Sequence, residues 1–146
     1  MEEITIYPSI EEEEFNYLLS LLAKITVPRK TTTNNRRNFP ARHRAMTLGI
    51  VKGRFNGITD LSYYSKKFPE IYQEVLRIGK LSCPFEFKST QVNHNVVCPP
   101  HFDSKNASRS VLVSFGDYTG CNIVINDKIY DARHTPIEFD GRTMLH

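Results

Sequence analysis

A histidine and an aspartate with the spacing of a metal site stand two positions apart in this sequence, at His101 and Asp103. Side chains at positions i and i+2 of an extended segment point to the same face, so both could bind one ion. Two imidazoles and one carboxylate on one side of a metal leave its other side open, as in non-haem iron(II) oxygenases. The pair therefore supplies two of the three ligands of such a centre, and the third must come from elsewhere in the fold.

The residues around this pair make the prediction more specific than the spacing alone. A histidine near an aspartate arises by chance in many chains and usually binds nothing. Here Pro99 and Pro100 stiffen the approach to His101, and an Asp-Tyr-Thr-Gly turn at 117–120 follows the next predicted strand. Several polar side chains also precede the pair and could face a shared pocket: Gln91, Asn93, His94 and Asn95.

The whole chain has the size and composition of one globular domain, residues 1–146, with 40% apolar and 11% aromatic residues. No stretch approaches the roughly 18 consecutive apolar residues of a membrane helix, and the N-terminus is acidic where a secretion signal would be basic. Cys83, Cys98 and Cys121 form no CxxC pair, which argues against a disulfide framework or a thiolate zinc site. We expect an intracellular protein, cytoplasmic or nuclear, with no membrane partner.

Positive charge is concentrated in residues 28–44, which contain no acidic residue. The segment carries six cations, twice the net charge of +3 on the whole chain, so the remaining residues are net negative. Its Thr, Asn and Pro content predicts a long loop or partly ordered arm. A solvated loop without a partner is one interpretation, and contact with nucleic-acid phosphates is the other. The cations are Arg29, Lys30, Arg36, Arg37, Arg42 and Arg44.

Two amphipathic helices are predicted in the first half of the chain. Residues 9–24 have apolar side chains at helical period after a capping-box spacing that begins at Ser9. Residues 66–79 form a second apolar stripe, with Pro69 suited to the first turn and Gly79 suited to end the helix in a left-handed conformation.

After Pro84 the sequence changes to short segments rich in β-branched and aromatic residues, separated by turn formers. Helices followed by strands, without regular alternation, predict the α+β class. We therefore expect helical support with the basic arm in residues 1–83 and an all-β core in residues 84–146.

The run from Gln91 to Ile125 resembles the double-stranded β-helix (jelly-roll) core of the iron(II) and 2-oxoglutarate-dependent dioxygenases. Within that superfamily it is most similar to the J-binding-protein and ten-eleven-translocation oxygenases of nucleic acids. The similarity covers residues 84–146, with Cys121 where relatives commonly have a second glycine. The matching positions are Asn93, Asn95, His101, Asp103, Asn106, Ser110, Gly116, Tyr118 and Gly120.

The resemblance also implies a third metal ligand. In such folds the histidine follows a short segment with an apolar residue, then Phe, then Asp or Asn, then Gly. The run IEFDGRTMLH matches this pattern, which makes His146 the candidate. His134 lies in the same interval and is the alternative, although it precedes a proline and another predicted strand.

The cofactors that the resemblance implies are Fe(II) and 2-oxoglutarate, with dioxygen as co-substrate and hydroxylation of an unactivated C–H bond as the reaction. Asn93, Asn95 and Tyr118 would line the cofactor pocket. Relatives hold the far carboxylate of 2-oxoglutarate with an Arg or Lys on a strand after the last histidine, which this sequence does not include. Arg109 and Arg142 are the nearest substitutes, and a solvated strand-edge arginine is the alternative interpretation for each.

Three functions remain open on these grounds. A nucleic-acid base, in DNA or RNA, is the substrate implied by the relatives and by the basic segment, since enzymes that modify bases act on flipped or single-stranded ones. Hydroxylation of a protein side chain such as proline is the second. A nucleic-acid-binding protein whose oxygenase fold is non-catalytic or truncated is the third.

Overall fold

A computed structural model of the protein describes residues 3–29, 44–53, 57–120 and 122–146. Helices and antiparallel strands are both present, which confirms the α+β class. None of the described helices combines the length and apolar character needed to span a membrane. The elements in chain order are β1 (Thr5–Ile6), a 3-10 helix (Glu12–Phe15), α1 (Asn16–Leu22), β2 (Arg44–Lys52), β3 (Thr59–Leu61), α2 (Tyr63–Lys67), α3 (Pro69–Ser82), β4 (Ser89–His94), β5 (Ser110–Leu112), β6 (Ile123–Ile125), β7 (Lys128–Tyr130) and β8 (Ile137–Phe139).

The first helical region is shorter than predicted and lacks the predicted capping box. Its 3-10 turn follows Glu11, whose side chain makes no cap hydrogen bond. Ser9 instead shares a hydrogen bond of 2.8 Å with the hydroxyl of Thr135, far along the chain. Ser9, which the local pattern predicted to cap the helix, thus makes a tertiary contact instead.

The second helical region is longer than predicted and divided in two. Pro69 begins α3 as expected, but the prediction that Gly79 ends the helix is wrong, because α3 continues to Ser82. The glycine is explained by packing, since a Cβ there would lie 2.5 Å from Cζ of Phe87. Gly79 lets an aromatic ring from the next segment rest on the helix backbone.

Among the described residues after Pro84 all regular elements are strands, as predicted. The expectation that only helices precede them is wrong, because β1, β2 and β3 lie in the first half of the chain. The nine-residue β2 lacks clean alternation, with Ala45 and Met46 both buried, since both of its faces are partly covered. Alternation of apolar and polar residues is the main sequence signal of a strand. The sequence of β2 lacks that alternation, so the strand was not predicted.

Each three-stranded sheet combines strands from both halves of the chain. One has the order β1-β8-β5 and the other β3-β2-β4, while β6 and β7 form a two-stranded ribbon, and all pairings are antiparallel. Residues 1–83 are therefore not helical support alone, since β1 and β2 pair with β8 and β4.

Buried apolar side chains form two clusters. The helical core packs α1, α3 and β2 together, and its members are Phe15, Leu18, Leu21, Val27, Met46, Leu48, Ile71, Val75 and Ile78. The site core lies among the later strands, and its members are Ile125, Ala132, Ile137, Phe139 and Met144.

Candidate metal centre

Backbone hydrogen bonds bring the two halves of the predicted metal site together. The N–H of His101 donates to the carbonyl of His146 at 2.9 Å, and the N–H of His146 donates back to the carbonyl of His101 at 3.1 Å. The N–H of Asp103 donates to the carbonyl of Gly141 at 2.8 Å. These bonds align the segment after β4 antiparallel to the segment after β8, which places the three predicted ligands on one side.

The three side chains converge on a single point. Nε2 of His146 lies 3.0 Å from Oδ2 of Asp103, and Nε2 of His101 lies 3.6 Å from Oδ1 of the same carboxylate. One ligand atom from each residue lies within 4.8 Å of the other two. Transition metals bind such atoms at about 2.0–2.2 Å, so neighbouring donors on one ion are about 3 Å apart. The 3.0 Å between His146 and Asp103 matches this spacing, and the 3.6 Å between His101 and Asp103 is somewhat wider.

Each imidazole is oriented by a backbone carbonyl on its other nitrogen. Nδ1 of His101 lies 2.9 Å from the carbonyl of Pro99, and Nδ1 of His146 lies 2.9 Å from the carbonyl of Met144. A carbonyl only accepts, so each Nδ1 donates its N–H there, and Nε2 is the ring nitrogen that faces the carboxylate of Asp103. A cation between the two Nε2 atoms and that carboxylate could be bound by all three groups. Outer hydrogen bonds of this kind are typical of metal-ligating histidines.

Close packing holds His146 more firmly than the other two ligands. Its side chain is 8% exposed, against 29% for His101 and 32% for Asp103. The Phe139 ring meets the His146 ring edge-on with centroids 4.9 Å apart. A Cβ on Gly141 would lie 3.1 Å from Cε1 of His146 and 3.5 Å from Oδ2 of Asp103. The site is thus closed behind His146 and open towards solvent at His101 and Asp103.

His134, the alternative third ligand, lies elsewhere. Its ring stacks on Phe15 of the helical core with centroids 5.1 Å apart, and its backbone adopts a φ of 55°. Of the two candidate histidines, the structure brings His146 to the pair.

A short turn after Asp103 accounts for two of the matching positions. The N–H of Asn106 donates to the carbonyl of Asp103 at 3.1 Å, and its side-chain amide donates to the hydroxyl of Ser110 at 3.2 Å. The turn thereby connects the segment of His101 and Asp103 to the first residue of β5.

The predicted cofactor-binding residues make local contacts. Asn93 lies on β4, where its side-chain oxygen accepts a 2.8 Å hydrogen bond from Gln91, and Asn95 follows with a φ of 51°. The Arg133 guanidinium lies 4.0 Å over the Tyr118 ring and donates to the Tyr118 carbonyl. Within the described part of the chain, no hydrogen bond joins Asn93, Asn95 or Tyr118 to the metal triad.

The two arginines considered for the co-substrate carboxylate are already paired. Arg109 donates to Glu138 at 2.6 Å, and Arg142 forms a fork with Asp140 through two bonds of 2.9 Å. The pKa of Asp140 is lowered, first of all by the Arg142 hydrogen bond. The Tyr7 hydroxyl, which donates to Glu138, and then Arg109 lower the pKa of that carboxyl.

The structure describes two of the six predicted nucleic-acid-binding cations. Arg29 and Arg44 face each other in an isolated antiparallel bridge, and Arg44 begins β2, so the predicted loop ends one residue earlier than expected. The Arg44 guanidinium donates to the carbonyl of Val27 at 2.8 Å. The other four, Lys30, Arg36, Arg37 and Arg42, lie outside the described residues, as does Cys121.

Sequence reasoning missed the supporting roles of Phe139 and Gly141. Phe139 and Gly141 both belong to the run IEFDGRTMLH, from which His146 was predicted as a ligand. The run was interpreted only for the ligand and not for the residues that pack around it. The closeness of Gly141 to the side chains of His146 and Asp103 follows only from three-dimensional packing.

Comparison of the chain with models of known protein families, with curated proteins and with solved structures returned no match. The assignment of function therefore rests on the residues of the triad and on their geometry.

Proposed function

We propose that this chain binds one Fe(II) ion through His101, Asp103 and His146 and acts as a 2-oxoglutarate-dependent oxygenase. The observation that carries the proposal is the facing of two Nε2 atoms towards one carboxylate, with both Nδ1 atoms held by backbone carbonyls. This donor set is the facial triad of non-haem iron(II) oxygenases.

The chain's own residues would hold and orient the reacting groups. When bound, iron and 2-oxoglutarate supply the oxidising power for hydroxylation of an unactivated C–H bond. The Pro99 and Met144 carbonyls fix the two rings, and the Phe139 ring packs behind His146. The greater exposure of His101 and Asp103 leaves room for co-substrate and substrate on that side. Solvent is excluded from the buried side, which strengthens electrostatic interactions at the site.

We also propose the double-stranded β-helix as the arrangement of the strands. In support, both three-stranded sheets are antiparallel, and each pairs strands far apart in the sequence. The HxD segment leaves the end of β4, and the segment to His146 leaves the end of β8, so one ligand segment follows each sheet.

Metal binding is the first test, because it needs no knowledge of the substrate. Anaerobic calorimetry with Fe(II), and the visible spectrum of bound Co(II), should show one ion per chain. Asp103→Ala should weaken binding at least about a hundredfold, more than loss of an outer-shell partner costs. His94→Ala removes an exposed histidine from β4 and should leave the affinity unchanged. Equal affinity in the wild type and in Asp103→Ala would overturn the site.

Turnover is the second test. The iron-loaded chain should form succinate from 2-oxoglutarate under air, and Asp103→Ala should not.

One observation favours a second candidate, a metal-binding protein without turnover. Arg109 and Arg142 are both occupied by carboxylates of the chain, so neither offers a free guanidinium to the co-substrate. A buried carboxylate without a cationic partner is unfavourable. Tight Fe(II) binding without any binding of 2-oxoglutarate would support this second candidate over the oxygenase.

A further inference from the structure

The turn that follows β8 is closed both by the backbone and by one side chain. The carbonyl of Asp140 accepts hydrogen bonds from the N–H of Thr143 at 3.2 Å and from the N–H of Met144 at 2.8 Å. Oδ1 of the Asp140 side chain accepts from the N–H of Arg142 at 3.1 Å. An aspartate that bonds to the backbone two residues further on forms an Asx-turn, which fixes a reversal of the chain. We call residues 140–144 the Asp140 turn.

The backbone of the Asp140 turn supports two of the three proposed metal ligands. The carbonyl of Gly141 accepts from the N–H of Asp103 at 2.8 Å. The carbonyl of Met144 lies 2.9 Å from Nδ1 of His146, while Nε2 of the same ring lies near Asp103. Because the backbone angles of a turn set the directions of its carbonyls, a change in the shape of this turn would move both supports together.

The Arg142 side chain links the same turn to the segment after Asp103. Its Nε and Nη2 each donate to the Asp140 carboxylate at 2.9 Å, and its Nη1 lies 3.5 Å from the carbonyl of Ala107. A guanidinium bound to a carboxylate through two parallel bonds has a fixed direction. The Asp140 carboxylate therefore shapes the turn and also holds the guanidinium that reaches the other ligand segment.

Glu138, two residues before Asp140, has a similar environment without the same connection to the triad. The Glu138 side chain is 13% exposed and pairs with Arg109, while the Asp140 side chain is 15% exposed and pairs with Arg142. Glu138 lies within β8 and accepts its other bond from the hydroxyl of Tyr7. The two carboxylates thus match in burial and in the kind of partner, but only Asp140 belongs to the turn that meets the ligands.

We propose that Asp140 is a positioning residue of the metal centre, because its carboxylate shapes the turn whose backbone places Asp103 and His146 for one ion. Asp140 acts through Gly141 and Met144 and is not itself a ligand. The proposal rests on the proposed function only in taking the triad as the metal site, and it does not depend on the substrate or the reaction.

Co(II) binding followed by the visible spectrum tests the proposal in three variants. Asp140→Ala should weaken binding about tenfold, the lower range for loss of an outer partner of metal ligands, and should shift the absorption bands of the bound ion. Asp140→Asn keeps a side-chain oxygen that can accept from the N–H of Arg142, so it should restore both affinity and spectrum. Glu138→Ala is the matched control and should leave both unchanged.

Three outcomes would overturn the proposal. Equal losses of affinity in Asp140→Ala and Glu138→Ala would show a general loss of stability. Equal losses in Asp140→Asn and Asp140→Ala would assign the effect to the ion pair with Arg142 and not to the turn. Unchanged affinity and spectrum in Asp140→Ala would show that the turn does not need the carboxylate. Urea unfolding of each metal-free variant checks that it is folded, and Asp140→Ser, which makes the same turn more weakly, replaces an Asp140→Ala chain that does not fold.

Amide hydrogen exchange in the metal-free protein separates this proposal from the proposed function. The N–H of Asp103 bonds to the carbonyl of Gly141, so it should exchange several-fold faster in Asp140→Ala and at the wild-type rate in Glu138→Ala, as measured by NMR. A wild-type chain that bound neither Fe(II) nor Co(II) would contradict the proposed function, yet faster exchange at Asp103 would still support the action of Asp140 on this segment. Unchanged exchange in Asp140→Ala would overturn the proposal whether or not the metal binds.

Discussion

The helical core and the site core are held together by different interactions. The helical core buries nine apolar side chains, most of them on α1, α3 and the nine-residue β2. The site core buries five, and the strands around it are only three residues long. The two segments that carry the triad are aligned mainly by backbone hydrogen bonds between residues 101, 103, 141 and 146.

This difference separates stability from function in the molecule. Burial of large apolar side chains is the main source of folding free energy, so the helical core should dominate the unfolding equilibrium. Functional segments are commonly drawn from the less stable parts of a protein, because they must admit ligands. Variants in the two regions should therefore affect different measurements.

The largest effect on stability is expected from Phe15→Ala. Phe15 is fully buried, and its ring stacks on those of Phe115 and His134. Its removal should lower the free energy of unfolding by about 3–5 kcal/mol. Urea denaturation measures this, and Tyr17→Ala, at a site 54% exposed, should change it by less than about 0.5 kcal/mol. A loss of metal affinity in folded Phe15→Ala would show that the two regions are not independent.

Gly79→Ala should destabilise the protein, although alanine is the better helix former by about 1 kcal/mol. The new Cβ would lie 2.5 Å from the Phe87 ring, and overpacking of this kind costs about 1–3 kcal/mol. Thermal or urea unfolding should show a net loss, with metal affinity unchanged. A gain in stability would mean that Phe87 moves aside freely.

Gly141→Ala is the counterpart in the site, and it should act chiefly on the metal. The added methyl group would press on the His146 ring and the Asp103 carboxylate. We expect Co(II) or Fe(II) affinity to fall about tenfold, the lower range for disturbed outer contacts, with a smaller loss of stability than in Gly79→Ala. If Gly141→Ala instead kept its metal affinity and lost much stability, the segment around the triad would contribute to folding and not chiefly to metal binding.

The smallest effect concerns acid stability and Glu138, which joins β8 to both neighbouring strands. Its carboxylate accepts hydrogen bonds from Tyr7 at 2.7 Å and from Arg109 at 2.6 Å, and its pKa is lowered, first by the Tyr7 bond. A depressed folded-state pKa adds stability that is present above the ordinary carboxyl pKa and is lost as the pH falls through the depressed value.

Glu138→Gln removes this contribution, on the order of 1 kcal/mol for a partly buried pair. Urea titrations of the metal-free protein should show the wild type as the more stable chain at neutral pH, with the difference shrinking in acid. A difference that stays constant with pH would contradict this account.

The sequence alone was sufficient for the α+β class and for the strand-rich second half, and it named the three residues that the structure brings close together. These features depend on composition and on short patterns, such as the two-residue spacing of His101 and Asp103 and the run before His146. The choice of His146 over His134 also came from such a run, and the structure brings His146 to the pair.

Tertiary structure alone decided the features that depend on contacts between distant segments. Ser9 bonds to Thr135 instead of capping a helix, β2 hides its alternation because both faces are covered, and Gly79 accommodates Phe87. The pairing of Arg109 and Arg142 with Glu138 and Asp140 was equally invisible in the sequence. The physical reason is the same in each case: a local pattern states what a residue can do, and the neighbours brought by folding determine which of those interactions it makes.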